Sequence, residues 1–188
     1  MGSQSVKAIS TDKQRKEFTF QLLSDIKALE TMIETDAFEK GIQRIGAEQE
    51  LVIVNKNYRP SFNALKILEK INDDHYTTEL GLFNIEANLD PLELKGKCFS
   101  KLEKDLTDLI NMARSASEEV NEDKIILTGI LPTFKRKDLV FENMTPFQRY
   151  KTLNEVMKNI KGEDFKLSIR GVDELILNHE SILFEACN

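Results

Sequence analysis

"LFNIEANL", residues 82–89, alternates between apolar and polar side chains with the two-residue period of a β-strand. Such a strand has one face toward a core and one polar face. The apolar face is made of Phe83, Ile85, Ala87 and Leu89, and the polar face of Asn84, Glu86 and Asn88. Residues 45–54, IGAEQELVIV, predict a second strand because they are dense in Ile, Leu and Val, and residues 124–132, KIILTGILP, predict a third.

Apolar residues at intervals of three or four predict helices around these strands. The segment 11–40 is typical of a core-facing helix, and a shorter helix is predicted within 62–71. Asp-Pro-Leu-Glu at 90–93 has the residues of a helix start and precedes a long stripe that ends at Val120. Thr-Pro-Phe-Gln at 145–148 repeats that signature. The stripe of the first helix consists of Phe18, Leu22, Ile26, Leu29 and Ile33.

Strands interleaved with long helices indicate an α+β fold, with helices on one face of a sheet and the other face open. The chain has 188 residues and is 40% hydrophobic, which is enough for a sizeable core. It contains no internal repeat, low-complexity tract or linker. We therefore expect a single domain over residues 1–188.

Charge and cysteine content exclude several classes of protein. The net charge of −6 argues against binding to nucleic acid or to an anionic membrane. Cys98 and Cys187 are too far apart in sequence for a zinc knuckle and too few for a disulfide framework. No signal peptide and no run of about 18 apolar residues is present. We expect a reducing, cytoplasmic location.

Two glutamates lie two residues apart on the second predicted strand. Residues i and i+2 of a strand point to the same side, about 6.6 Å apart along the chain, so Glu48 and Glu50 stand side by side. Glu86 is on the polar face of the 82–89 strand, and Glu79 lies shortly before it. Neighbouring strands could bring these four carboxylates to one open surface, where Mg²⁺ or Mn²⁺ would neutralise them. The alternative is an ordinary exposed polar face without any ligand.

Four segments carry a resemblance to a known family: RIGAEQELVIVN, TTELGLFNIEANLDP, ILTGILPTF and TPFQRYKTLNEVM. They resemble, in order, the motifs of the glutamate–cysteine ligase type 2 family, the bacterial carboxylate–amine ligases. The resemblance covers roughly residues 44–157 and implies the N-terminal portion of such an enzyme. It also implies a glutamine-synthetase-like fold, with a curved, largely antiparallel sheet whose concave face forms a funnel backed by helices.

The activity that the resemblance implies joins a carboxylate to an amine through an acyl phosphate. ATP is the co-substrate, and the substrates are a small amino acid and an amine. The divalent ions would be held by Glu48, Glu50, Glu79 and Glu86. Relatives often have a Thr-His-Pro-Phe loop where this chain has Ile-Leu-Pro-Thr-Phe at 130–134, so that histidine is missing.

Two arginines are candidates for substrate binding. Arg149 matches an arginine–tyrosine pair of the family and could meet a carboxylate or phosphate, although a helix-surface salt bridge is its alternative role. Arg170 is selected by its charge and by the glycine that follows it. A non-catalytic module that keeps the fold and a metal-dependent phosphohydrolase remain alternative functions. Self-association through unpaired strand edges or apolar surface is also expected.

Overall fold

The computed structural model of this chain describes residues 6, 9, 11–162 and 164–183. Four α-helices are present in this part of the chain: α1 (Asp12–Glu34), α2 (Ala64–Ile71), α3 (Cys98–Asn121) and α4 (Gln148–Lys161). The strands of the same residues are β1 (Arg44–Ile45), β2 (Glu48–Val54), β3 (Tyr76–Thr78), β4 (Asn84–Asn88), β5 (Leu92–Glu93), β6 (Lys124–Ile126), β7 (Phe165–Arg170) and β8 (Glu174–His179). Two short 3₁₀ helices, Arg136–Asp138 and Phe141–Asn143, precede α4.

The largest sheet of the described residues has four strands in the order β3-β4-β2-β6, all antiparallel. β2 and β4 pair in its centre, with Leu51 opposite Ile85 and Glu50 opposite Glu86. Two further sheets contain two antiparallel strands each, β1 with β5 and β7 with β8. The α+β class and the antiparallel pairing expected from the sequence are confirmed.

One face of the four-stranded sheet is buried under α2 and α3. Leu51 and Ile53 of β2, together with Ile85 and Ala87 of β4, are fully buried in this core. The helices contribute Ile67, Leu109, Ile110, Ala113 and Ala116. Within β4 the alternation gives a one-sided strand, as predicted, because Ile85 and Ala87 face the helices. Phe83, expected on the same face, belongs to a second core instead.

A second core packs α4 and the 3₁₀ helices around Phe83, which is 1% exposed. The ring of Phe83 meets Phe134 edge-on, with 4.6 Å between ring centroids. Phe134 and Leu131 also pack on Val52 and Val54, on the sheet face opposite α2 and α3. The loop at 130–134 therefore covers the apolar half of that face and leaves the half with the glutamates open.

Two predicted helix starts are wrong. Residues 92–93 form β5, whose backbone pairs with β1 in the register Arg44 opposite Glu93, and α3 begins only at Cys98. Helix α4 forms as predicted, but Thr145 does not cap it. The Thr145 side chain is buried, and its hydroxyl donates a hydrogen bond to the carbonyl oxygen of Glu79 at 2.5 Å. This bond connects the segment before α4 to the end of β3.

The prediction that the first helix faces a core is also wrong. α1 forms with a Thr11–Gln14 capping box, yet none of its residues is buried, and it makes no substantial packing contact with another described helix or strand. Its helical periodicity identifies an apolar stripe but not the surface that covers the stripe.

Cys98 is buried as a free thiol, and Cys187 lies outside the described residues. None of the helices in the described part of the chain combines the length and the apolar character that a bilayer crossing demands.

The core under α2 and α3 should dominate the stability of the fold. Ile53→Ala removes a fully buried side chain and is expected to lower the free energy of unfolding by about 2–5 kcal/mol in urea titrations. Phe99→Ala, on α3 with the side chain 62% exposed, should change it by less than about 0.5 kcal/mol. Equal effects of the two substitutions would contradict this assignment of the core.

Candidate functional site

The candidate site is a group of acidic side chains on the sheet face that α2 and α3 leave open. β2 and β4 place the Cα atoms of Glu50 and Glu86 directly opposite each other. Opposite residues of an antiparallel pair share a face, with Cβ atoms about 4.5–5.5 Å apart. On its other side, Glu86 is opposite Thr77 of β3. A row of Thr77, Glu86 and Glu50 therefore crosses three strands on one face.

The two other predicted ligands flank this row. Glu48 is two residues before Glu50 on β2, so it shares the same face, and it is opposite Asn88. Glu79 follows directly after β3, and its carboxyl group hydrogen-bonds the carboxyl group of Glu86. Glu79 thus interacts electrostatically with both Glu86 and Glu50.

The position of Glu79 is fixed by its backbone. Thr145 donates its hydroxyl to the carbonyl oxygen of Glu79, and the amide of Thr145 donates to the carbonyl oxygen of Leu80 at 2.9 Å. The amide of Leu80 donates to the Glu79 carboxylate at 3.2 Å. The segment before α4 thus holds the end of β3 beside β4, and this contact keeps Glu79 close to Glu86.

Burial first, and then the hydrogen bond and the charge of the neighbouring Glu86 carboxyl group, together raise the pKa of Glu79 to about 7. The charge of Glu50 acts in the same direction, whereas the amide of Leu80 opposes it. Near neutral pH, Glu79 therefore carries a proton for part of the time and can then donate a hydrogen bond to the Glu86 carboxyl group. The site holds more negative charge than its own residues can neutralise.

The chemistry of this donor set fits a divalent cation. Clustered carboxylate oxygens, with amide and hydroxyl oxygens beside them, are the hard ligands that Mg²⁺ and Mn²⁺ prefer. As the side chains are oriented, no group of three or more His, Cys, Asp or Glu among the described residues is arranged to hold a metal ion. Glu48 and Glu50 are exposed, so their side chains are free to turn toward a common point.

Arg149 and this acidic group share a neighbour, Tyr150. The guanidinium of Arg149 is over the Tyr150 ring, 5.4 Å from its centroid. The Tyr150 hydroxyl donates to the carbonyl oxygen of Thr78 at 2.9 Å. Burial raises the pKa of Tyr150 most, the charges of Glu79 and Glu86 raise it too, and Arg149 lowers it. Tyr150 is therefore within the electrostatic reach of both Arg149 and the acidic group.

Arg170 is not brought into this group by any described contact. It belongs to the β7–β8 hairpin, where its Nε atom is 3.0 Å from the carboxylate of Glu174. Its side chain is 82% exposed. The ion pair within the hairpin accounts for the described position of Arg170 without a substrate.

Three residues that shape the site were not assigned to it from the sequence: Asn84, Thr145 and Tyr150. The Oδ1 atom of Asn84 is buried on β4 and has no hydrogen-bond partner among the described residues. The alternation of residues 82–89 already puts Asn84 on the same face as Glu86. This pattern could have identified Asn84 as a member of the site. Thr145 and Tyr150 act through contacts more than 60 residues away in sequence, and no local pattern identifies such contacts.

Comparisons with family models, with curated proteins and with solved structures give no match for this chain. The geometry and chemistry of the site are therefore the basis of any functional proposal.

The raised pKa of Glu79 predicts a pH-dependent stability. The folded state keeps the proton to about pH 7, whereas an unfolded chain loses it near the ordinary value of 4.5. This contribution is fully present below pH 4.5 and is lost as the pH rises through 7. Glu79→Gln should therefore stabilise the chain relative to wild type at pH 8 by roughly 1–2 kcal/mol more than at pH 5.

Urea titrations at the two pH values measure this difference. Glu103→Gln, at an exposed position of α3, is the matched control and should leave the pH dependence of wild type unchanged. An identical pH dependence in wild type and Glu79→Gln would show that Glu79 titrates normally.

Proposed function

We propose that this chain contains the metal-holding part of an ATP- and Mg²⁺-dependent carboxylate–amine ligase of the glutamate–cysteine ligase type. The observation that supports the proposal most is the β2–β4 register, which sets Glu50 opposite Glu86 while Glu79 hydrogen-bonds Glu86. These are three of the four acids that the family resemblance selects. The finer assignment to a glutamine-synthetase-like fold is part of the same proposal.

The chemistry of such a ligase explains why a cluster of acids would be useful. A carboxylate is a poor electrophile and must first be phosphorylated by ATP, so two anions have to approach each other. Bound Mg²⁺ neutralises phosphate charge in this step. Glu48, Glu50, Glu79 and Glu86 hold the cations in this proposal and do not act as general bases.

The remaining residues of the site have roles in binding. Arg149 is positive beside an otherwise acidic surface, so it would attract the substrate carboxylate or a phosphate oxygen. The loop at 130–134 closes the apolar end of the open face through Leu131 and Phe134, so that bound molecules would lie over the glutamates.

Metal binding tests the proposed role of the glutamates directly. Mn²⁺ titrations of the 188-residue chain, followed by water proton relaxation, should show binding that Mg²⁺ reverses by competition. Glu50→Gln and Glu48→Gln should each weaken Mn²⁺ binding by about tenfold or more, because each removes a charged ligand. Glu103→Gln should bind Mn²⁺ like wild type. An unchanged affinity of Glu50→Gln for Mn²⁺ would show that this face of the sheet is not the metal site.

Phosphate release from ATP tests the reaction class. The assay uses the 188-residue chain and any longer native chain that contains it, across a panel of amino acids and amines. A ligase releases phosphate only when both an acid and an amine are present. Release without an amine would instead indicate a phosphohydrolase, and Mn²⁺ binding without any release would indicate a binding module.

A further inference from the structure

α1 presents a continuous apolar stripe to solvent. Phe18 and Ile33, at its two ends, are 55% and 63% exposed. Residues at these intervals lie within a narrow sector of the helix surface, which is the width of a coiled-coil seam. The helix has 23 residues and is about 34 Å long, or roughly three heptads. The stripe consists of Phe18, Leu22, Ile26, Leu29 and Ile33, each more than 40% exposed.

Charge is distributed unequally along the same helix. The first six residues, 12–17, contain three basic and two acidic side chains, and the last five, 30–34, contain two acidic side chains and no basic one. Asp36, just after the helix, is ion-paired with Lys40 and so adds no net charge to this end. The pairs Arg15–Asp12 and Lys13–Glu17 are exposed and 3.8 Å long, so they are weak and can exchange partners.

We propose that α1 pairs with α1 of a second copy of this chain in an antiparallel arrangement. Antiparallel pairing puts the basic end of each helix against the acidic end of the other, whereas parallel pairing puts like charges together. The helix dipoles also favour the antiparallel arrangement. The apolar stripe of one α1 is thus covered by the same stripe of the second copy. This inference does not depend on the proposed ligase activity.

The apolar residues fix the register of this pair. With Phe18 facing Ile33 and Leu22 facing Leu29 of the second copy, Ile26 of both copies lies near the two-fold axis. Lys16 and Glu34 then lie on the same flank and within one residue of the same level, about 120° around the helix from the middle of the stripe, so it is their long side chains that reach toward each other. The Asp25 side chains of the two copies also lie close to each other near the axis. Their like charges repel, and this repulsion limits the stability of the dimer.

Sedimentation velocity of the 188-residue chain over a range of concentrations tests the pairing. A reversible monomer–dimer equilibrium is expected, and Ile26→Glu should weaken it at least tenfold because it puts a charge at the centre of the seam. Phe20→Glu is the matched control: Phe20 is 67% exposed but on the opposite side of the helix, so dimerisation should persist. A chain that stays monomeric at hundreds of micromolar, or a dimer that survives Ile26→Glu, overturns the proposal.

A charge exchange tests the antiparallel direction. Lys16→Glu and Glu34→Lys should each weaken the dimer, and the double variant should restore it, because the facing pair is then re-formed with exchanged signs. Asp25→Asn should strengthen the dimer. A double variant weaker than both single variants would overturn the antiparallel register. Circular dichroism should show unchanged folding in every variant, because α1 buries no side chain in the described chain.

Discussion

The register between β2 and β4 is the constraint on which the rest of the structure depends. Leu51 and Ile53 face the helices together with Ile85 and Ala87. Slipping either strand by one residue would turn these apolar side chains to solvent and bury the glutamates instead. The apolar face therefore holds the polar face in place, and the pairing of Glu50 with Glu86 is a by-product of core packing.

Facing carboxylates are unfavourable in a strand pair, because like charges directly opposite each other destabilise a sheet. The chain tolerates this arrangement through the raised pKa of Glu79, which lessens the negative charge beside Glu86, and through the exposure of Glu50. An ordinary polar surface would mix lysines among such acids. The group of acidic side chains on the open face of the four-stranded sheet is the feature on which the proposal of a bound cation rests.

The sequence was a good guide where the pattern is local. The alternation of residues 82–89 placed Glu86 and Asn84 correctly, and the stripe within 98–121 identified α3. The predictions from sequence were wrong where contacts distant in sequence determine the structure. Residues 92–93 form a strand because β1 pairs with them, and the apolar stripe of α1 does not pack against a core. The approach of Glu79 to Glu86 also depends on Thr145, which no neighbouring residue signals.

The unequal strand lengths of the four-stranded sheet give its acidic residues different mobility. Glu50 and Glu86 are on the two central strands, whose amides should exchange with solvent most slowly. Glu79 follows β3, a three-residue edge strand whose backbone opens more readily. Glu50 and Glu86 thus lie on the most stable part of the sheet, whereas Glu79 keeps its place only while the two hydrogen bonds from Thr145 hold the end of β3, so local opening of the segment before α4 would release Glu79 first.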